Sequence, residues 1–197
     1  MAGQEERVMA IAIGASAGGV DALLQLLPHL HARSPLVMVV VHRGARQPGV
    51  LSLAMLLGRV CPLQVDEAWS GQPLRPGRVV LAPADYHLLV DEGPVAALSV
   101  DEPVMWSRPA IDPLLESAAR VFGPRLLAVV LTGASADGAR GAEQVRRAGG
   151  LVWVQDPDDA ASPTMPRAVL DLGGADRVLT IEAMGKALSN LGHRSER

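Results

Sequence analysis

Three short stretches of the chain carry residue types that can cooperate in acyl transfer. Gly14-Ala15-Ser16-Ala17-Gly18-Gly19 fits the G-x-S-x-G pattern, in which small residues let a serine project from a sharp strand-to-helix turn. The free N–H groups of the helix that follows would face an oxyanion growing on a substrate. His42 directly follows the apolar run Val39-Val40-Val41, so it stands at a strand's carboxyl end, where a base is well placed. Asp137 lies in Thr132-Gly133-Ala134-Ser135-Ala136-Asp137-Gly138, after a third apolar run, and can hold an imidazole in one tautomer. Each residue also has an ordinary reading. Serine and aspartate at helix starts commonly act as N-caps. A lone histidine at a strand end is commonly just packed there. The glycine-rich turn can also be read as a dinucleotide fingerprint with Ser16 in the middle position, but Ser34–Val41 lacks the acid that motif requires about 20 residues on. The order Ser, His, Asp differs from the Ser, Asp/Glu, His order of α/β-hydrolases, which disfavours that fold.

Side chains so far apart along the chain need a framework that gathers strand ends. Val8–Ile13, Leu36–Val41, Leu126–Leu131 and Leu151–Val154 are continuous apolar runs and read as buried parallel strands. Val20–Leu30, Pro48–Arg59, Pro109–Val121, the stretch after Gly138 to Ala148, Pro163–Leu170 and Ile181–Leu191 read as helices, with Leu63–Val65 and Val178–Thr180 as short strands. Arg78–Ala82, Tyr86–Val90 and Val95–Val100 are separated by short turns and read as antiparallel. The expectation is an α/β fold: a doubly wound, mostly parallel sheet in three layers (αβα) with an antiparallel hairpin insertion, one domain over residues 1–197.

Composition narrows the function classes. Of 197 residues, 49% are hydrophobic and 20% charged, which excludes a disordered or fibrous chain. Lys+Arg number 18 against 21 Asp+Glu, and aromatics are 3%, so neither a basic surface nor a base-stacking platform for nucleic acid is indicated. Cys61 is the single cysteine, which leaves no internal disulfide. No apolar run is long enough for a signal-peptide core or a membrane span, so a soluble, cytoplasmic protein is expected. Asp156, Asp158 and Asp159 read as a solvated turn, and His29 with His31 as a helix end, so no metal site is expected.

Taken together, Ile13–Gly19, His42, Leu81-Ala82-Pro83 with His87, Arg108-Pro109-Ala110-Ile111-Asp112, Leu131-Thr132-Gly133 through Asp137-Gly138-Ala139 and Gly141, and Met165-Pro166-Arg167-Ala168 resemble the catalytic domain of the chemotaxis protein-glutamate methylesterases, CheB. The resemblance covers nearly the whole chain. It implies Ser16 as nucleophile, His42 as base and Asp137 as its partner, with no cofactor. Backbone N–H groups of Ala17, Gly18 and Ala134 would form the oxyanion hole. Read from the residues themselves, Arg108 can bind a substrate carboxylate or be a solvated or core-bracing arginine, Arg43 can serve recognition at the rim or simple solubility, and Met165 can line the cleft or pack in the core. The implied reaction is hydrolysis of glutamyl methyl esters on chemoreceptor cytoplasmic helices, often with glutamine deamidation. Partners would be those helices, without nucleic acid or membrane insertion. A separate regulatory protein would stand in for the family's N-terminal receiver domain, expected to be absent here. The chain departs from the family pattern at Ala17 (usually Thr), Val41 and Arg43 (usually Gln and Met), Ala134 (usually Met) and Ser107 (usually His). Those changes around the three residues motivate an alternative: a non-catalytic module that kept the fold and binds receptors or signalling proteins.

Overall fold

Strands that are apolar on both faces belong at the centre of a sheet covered on both sides, and the three such runs flanking the candidate residues lie side by side there. The structure is a computed structural model that describes residues 2–5, 7–42 and 52–191. Its elements in chain order are α1 (Ala2–Glu5), β1 (Ala10–Ala15), α2 (Gly19–Leu26), β2 (Leu36–Val41), α3 (Leu53–Leu57), β3 (Gln64–Glu67), β4 (Arg78–Leu81), β5 (His87–Asp91), β6 (Val95–Ser99), α4 (Ile111–Phe122), β7 (Leu126–Val130), α5 (Ala139–Arg147), β8 (Leu151–Gln155), α6 (Thr164–Leu172), β9 (Arg177–Leu179) and α7 (Ile181–Leu188). Seven strands form one parallel sheet in the order β3-β4-β2-β1-β7-β8-β9, and β5 with β6 form a separate antiparallel pair.

The period of two along each strand divides the core. Ala10, Ala12, Met38, Val40 and Val130 pack with α4, α5 and α6 through Ile111, Leu114, Leu115, Ala142 and Met165. Ile11, Ile13, Val37, Val39 and Val129 pack with α2, α3 and α7 through Leu23, Leu26, Leu57, Met184 and Leu188. On the first face β1 presents only Ala10, Ala12 and Gly14, and this lets α4 approach closely. A Cβ on Gly14 would run into Ile111, the first residue of α4. The small side chains thus bring the start of α4 down onto the carboxyl end of β1.

One strand departs from the sequence expectation. Arg78–Ala82 was expected to join an antiparallel set, yet β4 lies inside the main sheet, parallel to both β3 and β2. Val79, Val80 and Leu81 are buried, and burial between two neighbours outweighs the short spacing to the next strand. Only β5 and β6 make the hairpin, which packs on α4, where Ser117 Oγ accepts the Val90 N–H at 3.0 Å. The helix expected over Pro48–Arg59 is observed as Leu53–Leu57, and the beginning of that stretch lies outside the described residues.

Candidate active site

Register alone brings two of the three residues together. Ala15 pairs with Val41 across β1 and β2, and the His42 N–H donates to the Ala15 carbonyl at 3.0 Å. Ser16 and His42 therefore leave neighbouring strand ends, which are spaced by about 4.8 Å in a sheet. On the other side of β1, the Leu131 N–H donates to Gly14 O and the Ser16 N–H to Thr132 O, both at 2.9 Å. The loop that carries Asp137 thus begins beside Ser16. Sheet order reverses at β1, with β2 on one side and β7 on the other, and such a switch point opens a crevice at the strands' carboxyl ends.

The serine turn is built for exposure of the hydroxyl rather than for capping. Gly18 has φ 77°, a left-handed conformation that glycine adopts without steric penalty, and it is the N-cap of α2. No side chain caps α2, so the capping reading of Ser16 is set aside. Ser16 is half-buried, and no hydrogen bond engages its Oγ among the described residues. Backbone N–H groups around it fall into two sets. Those of Ser16, Thr132 and Gly133 are taken by Thr132 O, Gln155 Oε1 and Ser162 O. Those of Ala17, Gly18 and Ala134 have no acceptor among the described residues, as an oxyanion hole requires. Thr132 holds the two sides in place: its hydroxyl donates to Ala17 O at 2.8 Å and accepts the Ser162 N–H at 2.8 Å.

His42 and Asp137 form a direct pair. His42 Nε2 lies 2.6 Å from Asp137 Oδ2, with the imidazole 11% exposed and the carboxyl fully buried. The ring's Nδ1 is then the nitrogen that Asp137 leaves for another partner. Asp137 also receives the N–H of Ile111 on Oδ2 at 2.6 Å and that of Asp112 on Oδ1 at 2.9 Å. These are the first two N–H groups of α4, whose own N-cap, Ala110, has no side chain to offer. A helix N-terminus with unsatisfied N–H groups suits a carboxylate. Asp137 therefore does cap a helix, but it caps α4 and not the helix that follows it in sequence. That helix, α5, starts after Gly138, which has φ 92°, and it is capped in return by Asp112. The Asp112 Oδ1 accepts the N–H of Gly138 at 2.9 Å and of Gly141 at 2.8 Å. Burial pushes the Asp112 carboxyl up to about 6; the Gly141 N–H opposes this, and the Asp137 and Glu116 charges add to it.

The remaining expected residues fall in several places. Arg108 turns one guanidinium nitrogen back onto its own loop: Nη1 donates to Val100 O at 2.7 Å and to Asp101 O at 3.0 Å. Met165 does not line a cleft. It is fully buried beneath Gly133, where a Cβ would strike its thioether, so it supports the floor of the Ala134 loop from below. Arg43 lies outside the described residues. His87 ties main chain to main chain: Nδ1 accepts the Ala110 N–H and Nε2 faces Glu102 O, each at 3.2 Å. Asp159 belongs to no ligand set; its Oδ2 accepts from Gln155 and from the Ile181 N–H at the start of α7. Among the described residues no three His, Cys, Asp or Glu side chains cluster as metal ligands. Sequence reasoning missed the roles of Thr132 and Asp112, although both stand in motifs that it singled out. Only the meeting of α4 with α5 reveals the second.

Comparison with known proteins points one way. The family described as CheB methylesterase matches residues 11–188. A Leptospira interrogans protein, provisionally named a protein-glutamate methylesterase/protein-glutamine glutaminase, is 38% identical over 183 residues, covering 92% of this chain and 94% of its own. The Symbiobacterium thermophilum protein-glutamate methylesterase/protein-glutamine glutaminase is 41% identical over 181 residues, and there the match spans 91% of this chain but 49% of the relative. The crystal structure of the Thermotoga maritima CheB methylesterase catalytic domain superimposes with a TM-score of 0.86 at 34% identity, covering 93% of this chain and 98% of that one.

Proposed function

Because the chain belongs to the CheB methylesterase family, we propose that it hydrolyses the γ-methyl esters of glutamate side chains on chemoreceptor helices, with Ser16, His42 and Asp137 as its triad. The observation that carries this reading is the 2.6 Å His42–Asp137 pair standing in register beside a serine whose hydroxyl is uncommitted. His42 Nδ1 takes the proton as Ser16 Oγ attacks the ester carbonyl. Asp137 holds the ring in one tautomer and stabilises the imidazolium. The carbonyl oxygen gains negative charge and meets the free N–H groups of Ala17, Gly18 and Ala134. Each such donor is worth about 3 kcal/mol of barrier. His42 returns the proton to the leaving methoxide, so methanol departs and an acyl-serine remains. Water, activated by the same imidazole, then releases the glutamate carboxylate and restores Ser16. A primary amide in place of the ester would leave as ammonia by the same route, which is the glutaminase reaction named in the relatives.

The family's usual methionine side chain next to the loop's first glycine is Ala134 here, but the main-chain N–H the mechanism uses is kept. Turnover of a methylated receptor fragment, read as methanol release, tests the proposal alongside labelling by a fluorophosphonate serine probe. The wild-type chain is expected to turn over and to label, and Ser16→Ala to do neither. Equal methanol release by the two proteins removes Ser16 from the chemistry. Silence of the wild type in both assays leaves the non-catalytic receptor-binding module as the reading.

A further inference from the structure

One buried carboxyl group beside the triad takes no part in the ester chemistry just derived. Asp112 sits in the first turn of α4 and is 3% exposed. Its Oδ1 serves the N–H groups of Gly138 and Gly141, while its Oδ2 is buried with no hydrogen-bond partner among the described residues. Across the gap, Asp137 serves the N–H groups of Ile111 and Asp112. Two helices thus exchange their N-terminal caps, and each cap is a carboxyl group facing the other. A neutral oxygen would satisfy the Gly138 and Gly141 N–H groups without placing a second acid next to Asp137 or leaving a charged oxygen bare in the core. The feature works against stability, and such features concentrate where function needs them.

We infer that Asp112 is a positioning residue of the triad, its carboxyl oxygen fixing the Asp137 turn by clamping the Gly138 and Gly141 N–H groups, at the expense of stability. The inference rests on the esterase reading of Ser16, His42 and Asp137. The path is short. Gly138 follows Asp137 directly, so clamping its N–H fixes the peptide from which the Asp137 side chain departs. The Asp112 main chain meanwhile holds Asp137 Oδ1, and Oδ2 holds His42. Loss of that precision is costly, since a displacement of about 1 Å in a catalytic group can reduce rate by about 100-fold.

The charged groups around Asp112 are few. Glu116 is one turn along α4, and Arg140 of α5 stands 3.7 Å from it as an exposed pair. Asp137 faces it from the loop, with His42 of the β2 end beyond, and His87 of the hairpin touches Ala110. The Asp112 carboxyl titrates near 6 when folded, against an ordinary value of 3.8. A folded value above the unfolded one means that its contribution to stability is full below 3.8 and is lost as pH rises through 6. At neutral pH the side chain is ionised and works against folding.

The test compares the full chain with Asp112→Ala, which takes the acceptor away from the two N–H groups, and with Asp112→Asn, which keeps an oxygen for them and removes the charge. Methanol release from a methylated receptor fragment is measured from pH 5 to 9, with thermal melts at pH 7.5 and 4. Expected for D112A is a kcat lower by about tenfold or more with KM within about twofold, and for D112N a kcat within about twofold of wild type. The D112N Tm should rise by about 2–6 °C at pH 7.5 and show no gain at pH 4. An unchanged kcat in D112A, or a D112N kcat that falls as far as that of D112A, overturns the inference while leaving the esterase reading intact. So does a D112N Tm that falls together with activity at pH 7.5, which marks an ordinary cap. A wild-type chain that neither turns over nor labels with the serine probe overturns the esterase reading, and the inference with it.

Discussion

Asp137 concentrates structure and proposed chemistry in one side chain. Its two oxygens take one part-buried imidazole and two buried main-chain N–H groups. Asp137→Ala would leave two helix-terminal N–H groups without an acceptor, and urea unfolding should show a loss of about 2–4 kcal/mol. Asp137→Asn keeps most of the shape but offers an N–H₂ where an acceptor is needed, either to His42 or to the helix. Methanol release by D137N should fall by about 10³–10⁴-fold, with the imidazole held in the wrong tautomer. The three proposed catalytic residues were legible in the sequence because each is attached to a local sign: a glycine-bounded serine, a histidine ending an apolar run, an aspartate just after another. Asp112 carried no such sign. Its partners are Gly138 and Gly141, and nothing within either segment announces that α4 and α5 start back to back.

At the scale of elements, the contact of α4 on β1 decides whether those residues meet. Ala10, Ala12 and Gly14 make room for α4, and Ile111 fills it. Gly14→Ala would push Ile111 away from the strand and pull its N–H off Asp137. A loss of about 1–3 kcal/mol in a urea melt is expected, with a disproportionate fall in esterase rate. A melt and a rate both equal to wild type would show that α4 has slack there. The segment leading into α4 is equally built. Val104 and Ser107 pair in both directions across Met105 and Trp106, which have φ 46° and 64°. Two non-glycine residues in the left-handed region cost on the order of 1–2 kcal/mol each. The surrounding bonds from Arg108 and His87 hold the segment against that strain. Sequence periodicity found the buried strands of the sheet and the positions of most helices. It misplaced β4, because the spacing between runs says how far the chain travels and not which neighbour it chooses.

For the molecule as a whole, a parallel sheet closed on both faces by helices leaves its strand ends as the open rim, and all three proposed catalytic residues lie there. The opposite consequence holds for Cys61, packed with Leu57, Leu63 and Leu53 on the α3 side. Burial raises its thiol above the ordinary range, so little thiolate forms at neutral pH. Alkylation by iodoacetamide should be slow in buffer and rapid in denaturing urea, and fast labelling of the native chain would show that this side of the core opens locally. No helix among the described residues is long and apolar enough to cross a membrane. The layered architecture was readable from composition and period, because an apolar run of strand length must be covered on both sides wherever it sits.

The chain also carries its own optical reporter. Trp153 is fully buried, Trp69 half-exposed, and Trp106 stands entirely in water on the segment that runs into α4. Indole emission shifts to the blue as water is removed, so a receptor fragment that settles on that segment would announce itself by colour, without any dye, and acrylamide would lose its grip on the signal at the same concentration.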